Sequence, residues 1–240
     1  MILYGRNPVR EALLGRRRHA VKEIWVSGGA AREPWLSGLK VRTTGADEIQ
    51  ARCGSADHQG ICAEAGPYPY TGVAELLALT EPLIVALDQI QDPQNLGSIC
   101  RTAECAGVAG VVIPERRAAE VTPSVCKASA GAVEHLRIAR VRNLADFLAE
   151  AREAGCWSYG ASGSEQGARK PVPYDSPDYS GAGVVLVLGS EGAGLRPRVA
   201  GACDELIALP LLGRIESLNV SAAAAAMLYE ILQGRLDRSS

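Results

Sequence analysis

Three uninterrupted apolar runs, at residues 83–87, 111–113 and 184–188, constrain this chain more than anything else in it. A strand that alternates apolar and polar side chains can leave one face in water, whereas a run with no polar break needs cover on both faces. Each run is followed by a turn or glycine loop and then by residues with helical spacing. That alternation predicts an α/β fold with a parallel sheet clothed by helices. Extended along the chain, it predicts strands at 83–87, 111–113, 136–141, 156–161, 184–188 and 205–209. The intervening helices are expected at 93–107, 123–133, 144–153 and 217–235, with 162–183 as loop.

Residues 1–66 repeat the alternation on a smaller scale. Asn7-Pro8 opens a helix, Asn as cap and Pro in the first turn. Strands at 24–26, 40–43 and 60–65 and helices at 33–38 and 46–52 complete a small sheet with helical cover. Gly66-Pro67-Tyr68-Pro69 interrupts any regular element, and one short helix fits 73–80. The expected organisation is a small α/β domain at 1–66, a linker at 67–81 and a larger domain at 82–240.

With 240 residues, 47% of them hydrophobic and 22% charged, the chain can bury a real core. No apolar stretch is long enough to cross a bilayer, and the N-terminus lacks the charged-then-apolar order of a signal peptide, which predicts a cytoplasmic protein with no membrane partner. The seven cysteines are an odd, scattered set without a C-x-x-C pair, and the three histidines are far apart, so neither disulfides nor a metal site is expected. Charge is unevenly spread: residues 1–66 hold ten Lys and Arg against seven Asp and Glu, the remainder 15 against 20. Arg16-Arg17-Arg18, with Arg6 and Arg10 upstream, are the candidate contacts to phosphates.

Three stretches carry chemistry. After the first apolar run come Asp92, a cap, and Pro93 in the first turn of a helix. Leu96, Ile99, Cys100, Ala103 and Gly107 then share one face, which leaves Arg101 on a different side. After the third run comes Gly189-Ser190-Glu191-Gly192-Ala193-Gly194. Its glycine order differs from the dinucleotide fingerprint, and it lies late in the chain, which disfavours a nucleotide-dependent oxidoreductase. Glu191 nonetheless sits at a strand end, where open α/β sheets bind ligands. Ser217-Leu218-Asn219-Val220-Ser221 adds hydroxyls and an amide at the start of the last helix.

Together, Asp92-Pro93-Gln94-Asn95-Leu96-Gly97 with Arg101, the glycine loop, and Ser217-Leu218-Asn219-Val220-Ser221 resemble the three motifs of the SpoU/TrmH RNA ribose methyltransferases, in the family's order. The resemblance covers about residues 83–235. Tyr4-Gly5-Arg6-Asn7-Pro8 and His58-Gln59-Gly60-Ile61 are similar to the N-terminal substrate-binding domain of the ribosomal-RNA branch, a domain like a large-subunit ribosomal-protein fold. What the resemblance implies is S-adenosylmethionine as methyl donor, a homodimer through the methyltransferase domain and a C-terminal trefoil knot. It implies that Gly189, Leu209 and Leu218 hold the donor through backbone groups, and that Ile207 and Pro210 shape the space around its adenine. Asn95, Arg101, Glu191, Ser217 and Asn219 fall on the family's catalytic positions. The resemblance also implies Arg101 as the base that takes the hydroxyl proton; because a guanidinium hardly deprotonates unless its environment lowers its pKa, the alternative is that Arg101 fixes the target phosphate and stabilises a developing alkoxide. The implied partner is RNA, a guanosine of 23S rRNA first. Other rRNA sites, including resistance-type ones, transfer RNA, and a non-catalytic ribosome-assembly factor are the alternatives.

Overall fold

A computed structural model describes residues 1–163, 169–190, 192–215 and 217–238. In chain order the elements are β1 (Ile2–Tyr4), α1 (Arg6–Leu14), β2 (Val21–Val26), β3 (Val41–Thr43), α2 (Ala46–Cys53), β4 (Ile61–Ala65), α3 (Val73–Leu77), β5 (Leu83–Asp88) and α4 (Pro93–Cys105). They continue with β6 (Gly110–Pro114), α5 (Pro123–Ala128), β7 (Ile138–Val141), α6 (Leu144–Glu153), β8 (Cys156–Ala161), β9 (Val172–Pro173), β10 (Gly183–Gly189), α7 (Pro197–Ala202), β11 (Glu205–Ala208) and α8 (Val220–Arg238). The chain divides into two compact units: Met1–Pro69 with Glu120–His135, and Tyr70–Ala119 with Leu136–Ser240. No helix among the described residues is long and apolar enough to cross a membrane.

The smaller unit holds a four-stranded sheet in the order β1-β4-β2-β3, antiparallel at β1/β4 and β2/β4 and parallel at β2/β3. Strand β1 is absent from the sequence reading, because three residues are too few to show a period; it is made by pairing with β4, Leu3 opposite Ala63. Helix α1 starts at Arg6, one residue before the expected cap Asn7, because Gly5 takes the left-handed φ of +93° that turns strand into helix. The helix expected at 33–38 is replaced by two short 3₁₀ turns, Gly28–Arg32 and Pro34–Leu36. Pro34 starts the second turn, which is too short to become an α-helix.

Residues 120–135 give the largest difference from the sequence reading, which places a helix at 123–133 inside the larger domain. The structure makes α5, breaks it at Ala130 (φ +52°) and Gly131 (φ +91°), and resumes with a 3₁₀ turn at Ala132–Glu134. Val125, Cys126, Val133 and Glu134 are buried in the smaller unit. There Arg17 donates from Nε to Glu134 Oε2 at 2.9 Å and from Nη2 to Oε1, while Tyr68 donates its hydroxyl to Val133 O at 2.9 Å. Gly15 comes so near that a Cβ would lie 2.5 Å from the Glu134 carbonyl oxygen. Periodicity cannot foresee this, because the partners are separated by 117 residues.

The larger unit is a seven-stranded sheet, β7-β6-β5-β10-β8-β11-β9, parallel at every pairing. The three apolar runs become β5, β6 and β10, whose residues are all buried except Gly189 at the end of β10. Each such Val, Leu or Ile contributes roughly 1.5–3 kcal/mol by leaving water. On one face Leu144, Phe147, Leu148 and Ala151 of α6 meet Ile84, Ala86, Val112, Val185 and Val187. Asp92 and Asn143 cap α4 and α6, accepting from Gln94 N at 2.9 Å and Ala145 N at 3.0 Å. Two elements lie beyond the sequence reading: β9, a two-residue strand with its Pro at the sheet edge, and α7. The last helix begins at Val220, three residues later than expected, and the preceding residues 217–219 are irregular.

Candidate active site at the C-terminal edge of the parallel sheet

Parallel strands end together, and their loops gather on one edge, where open α/β sheets bind ligands. Here β5 ends at Asp88 and β10 at Gly189, partners in the ladder. Asp88 is fully buried. Its Oδ1 accepts from Arg196 Nε at 2.7 Å and its Oδ2 from Arg196 N at 2.9 Å, a charge-assisted clamp between the end of β5 and the chain that leaves the glycine loop.

The loop itself is closed by Gly194 N donating to Ser190 O at 2.9 Å. It folds back so tightly that a Cβ on Gly189 would lie 2.2 Å from the Gly194 carbonyl carbon, so no other residue fits. Gly192 (φ +79°) and Gly194 (φ +65°) make the reversal.

Beside this loop is a cavity of about 310 Å³, lined by Gln89, Ile90, Gln91, Asp92, Asn95, Ser190 and Val220. That volume is at the lower end of small-ligand sites. The lining offers amides, a carboxylate and a hydroxyl over an apolar floor, a surface for a polar, hydroxyl-bearing group. Gln89 holds φ +62°, the turn that directs the chain from β5 along the cavity into α4.

Two of the expected catalytic residues meet directly. Asn219 Nδ2 donates to Asn95 Oδ1 at 3.1 Å, although the two are 124 residues apart. Asn219 Oδ1 meanwhile accepts from Ser221 N at 2.9 Å and so caps α8. Ser217 and Leu218 are exposed in the segment just before it. Arg101 is exposed on α4, six residues from Asn95 and on another side of the helix, with no hydrogen-bond or ion-pair partner among the described residues. Glu191 lies outside the described residues.

Of the expected donor-binding residues, Gly189 adjoins the cavity through Ser190. Ile207 is buried, Leu209 half-buried and Pro210 exposed; they stand at the end of β11, separated from β10 by β8, and do not line this cavity. The sequence reading missed Gln89, Gln91 and Ser190 as lining residues and Arg196 as the partner of Asp88. The position of Asp88 and Gln89 at the end of an apolar run is the signal that marks them.

In the smaller unit Arg6, Arg10, Arg16 and Arg18 are exposed, and Arg6 pairs with Glu33 at 2.7 Å. Arg17 is not available to phosphate: it is 1% exposed and committed to Glu134. Burial acts to lower its pKa, and the Glu134 hydrogen bond and charge overcome this to hold it above the ordinary value. The Tyr4–Gly5–Arg6 and His58–Gln59–Gly60 segments come side by side, Gly5 N donating to Ile61 O at 3.1 Å and Arg6 N to Gln59 Oε1 at 3.0 Å.

A parallel sheet with a polar cavity over its central strand ends, flanked by a glycine loop and two helix starts, defines an α/β protein built to hold a small polar ligand. Comparison with known proteins makes the class specific. Residues 82–229 match the SpoU rRNA Methylase family, and residues 2–71 match the RNA 2′-O ribose methyltransferase substrate-binding domain. This chain belongs to the SpoU family of RNA methyltransferases.

A protein of Staphylococcus haemolyticus named for the TrmH family of tRNA/rRNA methyltransferases is 34% identical over 98% of this chain and 96% of its own. An uncharacterized tRNA/rRNA methyltransferase of Synechocystis sp. is 38% identical over 98% of this chain, which spans 62% of that relative's length. Among solved structures, an AdoMet-bound rRNA methyltransferase from Sinorhizobium meliloti superposes with a TM-score of 0.79 at 26% identity, covering 97% of this chain and 86% of that one.

Proposed function

We propose that this protein transfers a methyl group from S-adenosylmethionine to the ribose 2′-hydroxyl of one nucleotide in structured RNA, with a guanosine of 23S rRNA as the leading target. The observation that carries the reading is the hydrogen bond between Asn95 and Asn219, which joins two of the family's motifs at a cavity bordered by the third. The glycine at 189 is required by the loop itself, since a Cβ there would lie 2.2 Å from the Gly194 carbonyl carbon, and this close turn keeps the third motif at the end of β10, bordering the cavity through Ser190.

The bound donor supplies an electrophilic methyl on a sulfonium. As the ribose 2′-oxygen bonds to that carbon, the carbon–sulfur bond breaks, its electron pair stays on sulfur, and the hydroxyl proton leaves to a base or water. The chain's part is alignment and charge stabilisation. In this reading Gly189, Leu209 and Leu218 would hold the donor through backbone groups, Ile207 and Pro210 would shape the space for its adenine, and Asn95, Ser217 and Asn219 would position the target ribose. Glu191 belongs to the same catalytic set. Arg101, exposed and without a partner among the described residues, supplies a guanidinium for the target phosphate and the developing alkoxide. Homodimerisation through the methyltransferase domain, the C-terminal knot and a cytoplasmic location belong to the same proposal.

The test is transfer of labelled methyl from S-adenosylmethionine to in-vitro transcribed 23S rRNA and, in parallel, to unmodified transfer RNA, followed by nucleoside analysis. The expected product is 2′-O-methylguanosine in the ribosomal RNA. Label on a base, or in transfer RNA alone, refutes the specific target; RNA binding without incorporation indicates a non-catalytic factor.

A further inference from the structure

The methyltransferase unit has a concentration of positive charge that the three motifs leave unused. Strand β6 runs into residues 115–119, which contain Arg116 and Arg117, and its neighbour β7 ends beside them with Arg140 and Arg142 nearby. The backbone holds these segments together, Glu115 N donating to Val141 O at 2.8 Å and Arg140 Nη2 to Glu115 O at 3.3 Å. Arg140 also lies over the Tyr70 ring, 5.3 Å from its centre.

Glu115 is the one carboxylate in these two segments, and it is a weak competitor. Arg142, its side chain 93% exposed, comes no nearer than 4.0 Å to it. An exposed pair at that separation contributes little. Arg116 and Arg117 are exposed and make no hydrogen bond or ion pair among the described residues. Arg117 has φ +58°, a conformation uncommon for a side-chain-bearing residue, at the turn that presents the pair.

The location connects this charge with the reaction. These arginines stand at the same C-terminal sheet edge as the cavity, and β7 is two strand spacings, about 10 Å, from β5. The loop is tied to the cavity wall directly: Ala119 N donates to Ile90 O at 2.8 Å, and Ile90 lines the cavity.

We propose that Arg116, Arg117 and Arg142 form a phosphate track on the methyltransferase unit, gripping the RNA strand next to the target nucleotide. Guanidinium forks suit phosphate oxygens, and contacts of this kind set register without reading bases. The proposal rests on the RNA reading above and adds a contact surface outside the matched substrate-binding segment at residues 2–71.

The experiment compares the full-length protein with its Arg116→Ala/Arg117→Ala and Arg142→Ala variants. RNA affinity is measured against salt concentration, using the 23S rRNA transcript and transfer RNA. Removing one arginine–phosphate pairing should lower the slope of log affinity against log salt by about 0.7–0.9, so the double variant falls by roughly 1.5 and Arg142→Ala by about half that. The KM for RNA rises about tenfold in the double variant at moderate salt, about 1.4 kcal/mol. Donor affinity, melting temperature and kcat stay unchanged, and Arg116→Lys/Arg117→Lys keeps most of the slope. An unchanged slope in the alanine variants overturns the track while leaving the methyltransferase reading intact. A wild-type protein that neither binds nor methylates either RNA removes both.

Discussion

In the seven-stranded unit, β5 and β10 lie side by side in parallel register and bury nearly every side chain they have. In the four-stranded unit, a buried ion pair, Arg17 to Glu134, joins residues from opposite ends of the unit's sequence, with Cys126 and the Tyr68 ring against the guanidinium. Apolar strands spread their stabilisation over many small contributions. An ion pair without water concentrates it, because losing one partner leaves the other charge buried and uncompensated. The first arrangement suits a platform that keeps its strand ends aligned under a reacting group. The second fastens a distant segment to a substrate-binding unit through one geometry.

The most severe test of this contrast is Arg17→Met. It should destabilise the smaller unit by about 3–5 kcal/mol, whereas Arg17→Met/Glu134→Leu should recover most of that stability. Hydrogen exchange resolves it: β1 and β4 should lose protection in the single variant while β5 and β10 keep theirs. Equal loss in all four strands would erase the distinction between the units. For the same reason, removing residues 1–66 would leave the Glu134 carboxylate buried without its partner.

A smaller effect sharpens the comparison from the other side. Asp88→Asn keeps the shape of the clamp on Arg196 but removes its charge, at a place where the surrounding strands remain packed. Donor affinity, measured by calorimetry, should fall about tenfold, roughly 1.4 kcal/mol, with little change in exchange at β5 and β10. Full affinity in this variant would mean that the glycine loop holds its position without the clamp.

The smallest effect concerns thiols, one in each unit. Burial, with the Glu134 charge adding to it, pushes Cys126 up to about 12; burial does the same for Cys203, also to about 12. Their folded values lie above the unfolded one, so any stability they contribute is complete below the ordinary thiol range near 9 and is lost as pH rises from there toward 12. At pH near 8, alkylation of the native protein should modify exposed Cys105 first and leave Cys126 and Cys203 until unfolding. Early labelling of Cys126 would show that the ion-pair core opens more readily than its burial indicates.

Much of the larger unit was legible beforehand because its information is local. An apolar run as short as Val184 to Leu188, closed by a glycine loop, reads as a strand covered on both faces, and Asp92 before Pro93 supplies both a cap and a first-turn residue for a helix. The smaller unit was harder. Gly5 sets the start of α1 through a backbone angle, β1 exists only through pairing with β4, and Arg17 in a run of three arginines reads as a surface cation until Glu134 is beside it. At the site, Asn95, Asn219 and Gly189 were visible through their motifs. Gln89 carried a signal, its place just past an apolar run, but Gln91 and Arg196 did not, since lining a cavity or holding a carboxylate depends on neighbours that no spacing encodes.

The sequence by itself determined the parallel sheet and the strand–helix order, because both follow from the period of apolar residues and from short-range chemistry, and it carried the three motifs only through their resemblance to those of the family. Only the tertiary structure decided that residues 120–135 pack with the N-terminal unit, that Arg17 is buried, that Asn95 meets Asn219, and that arginines 116, 117 and 142 share an edge with the cavity. The reason is physical: burial, pairing and proximity depend on which distant segments exclude water together, and that is settled when the chain closes on itself.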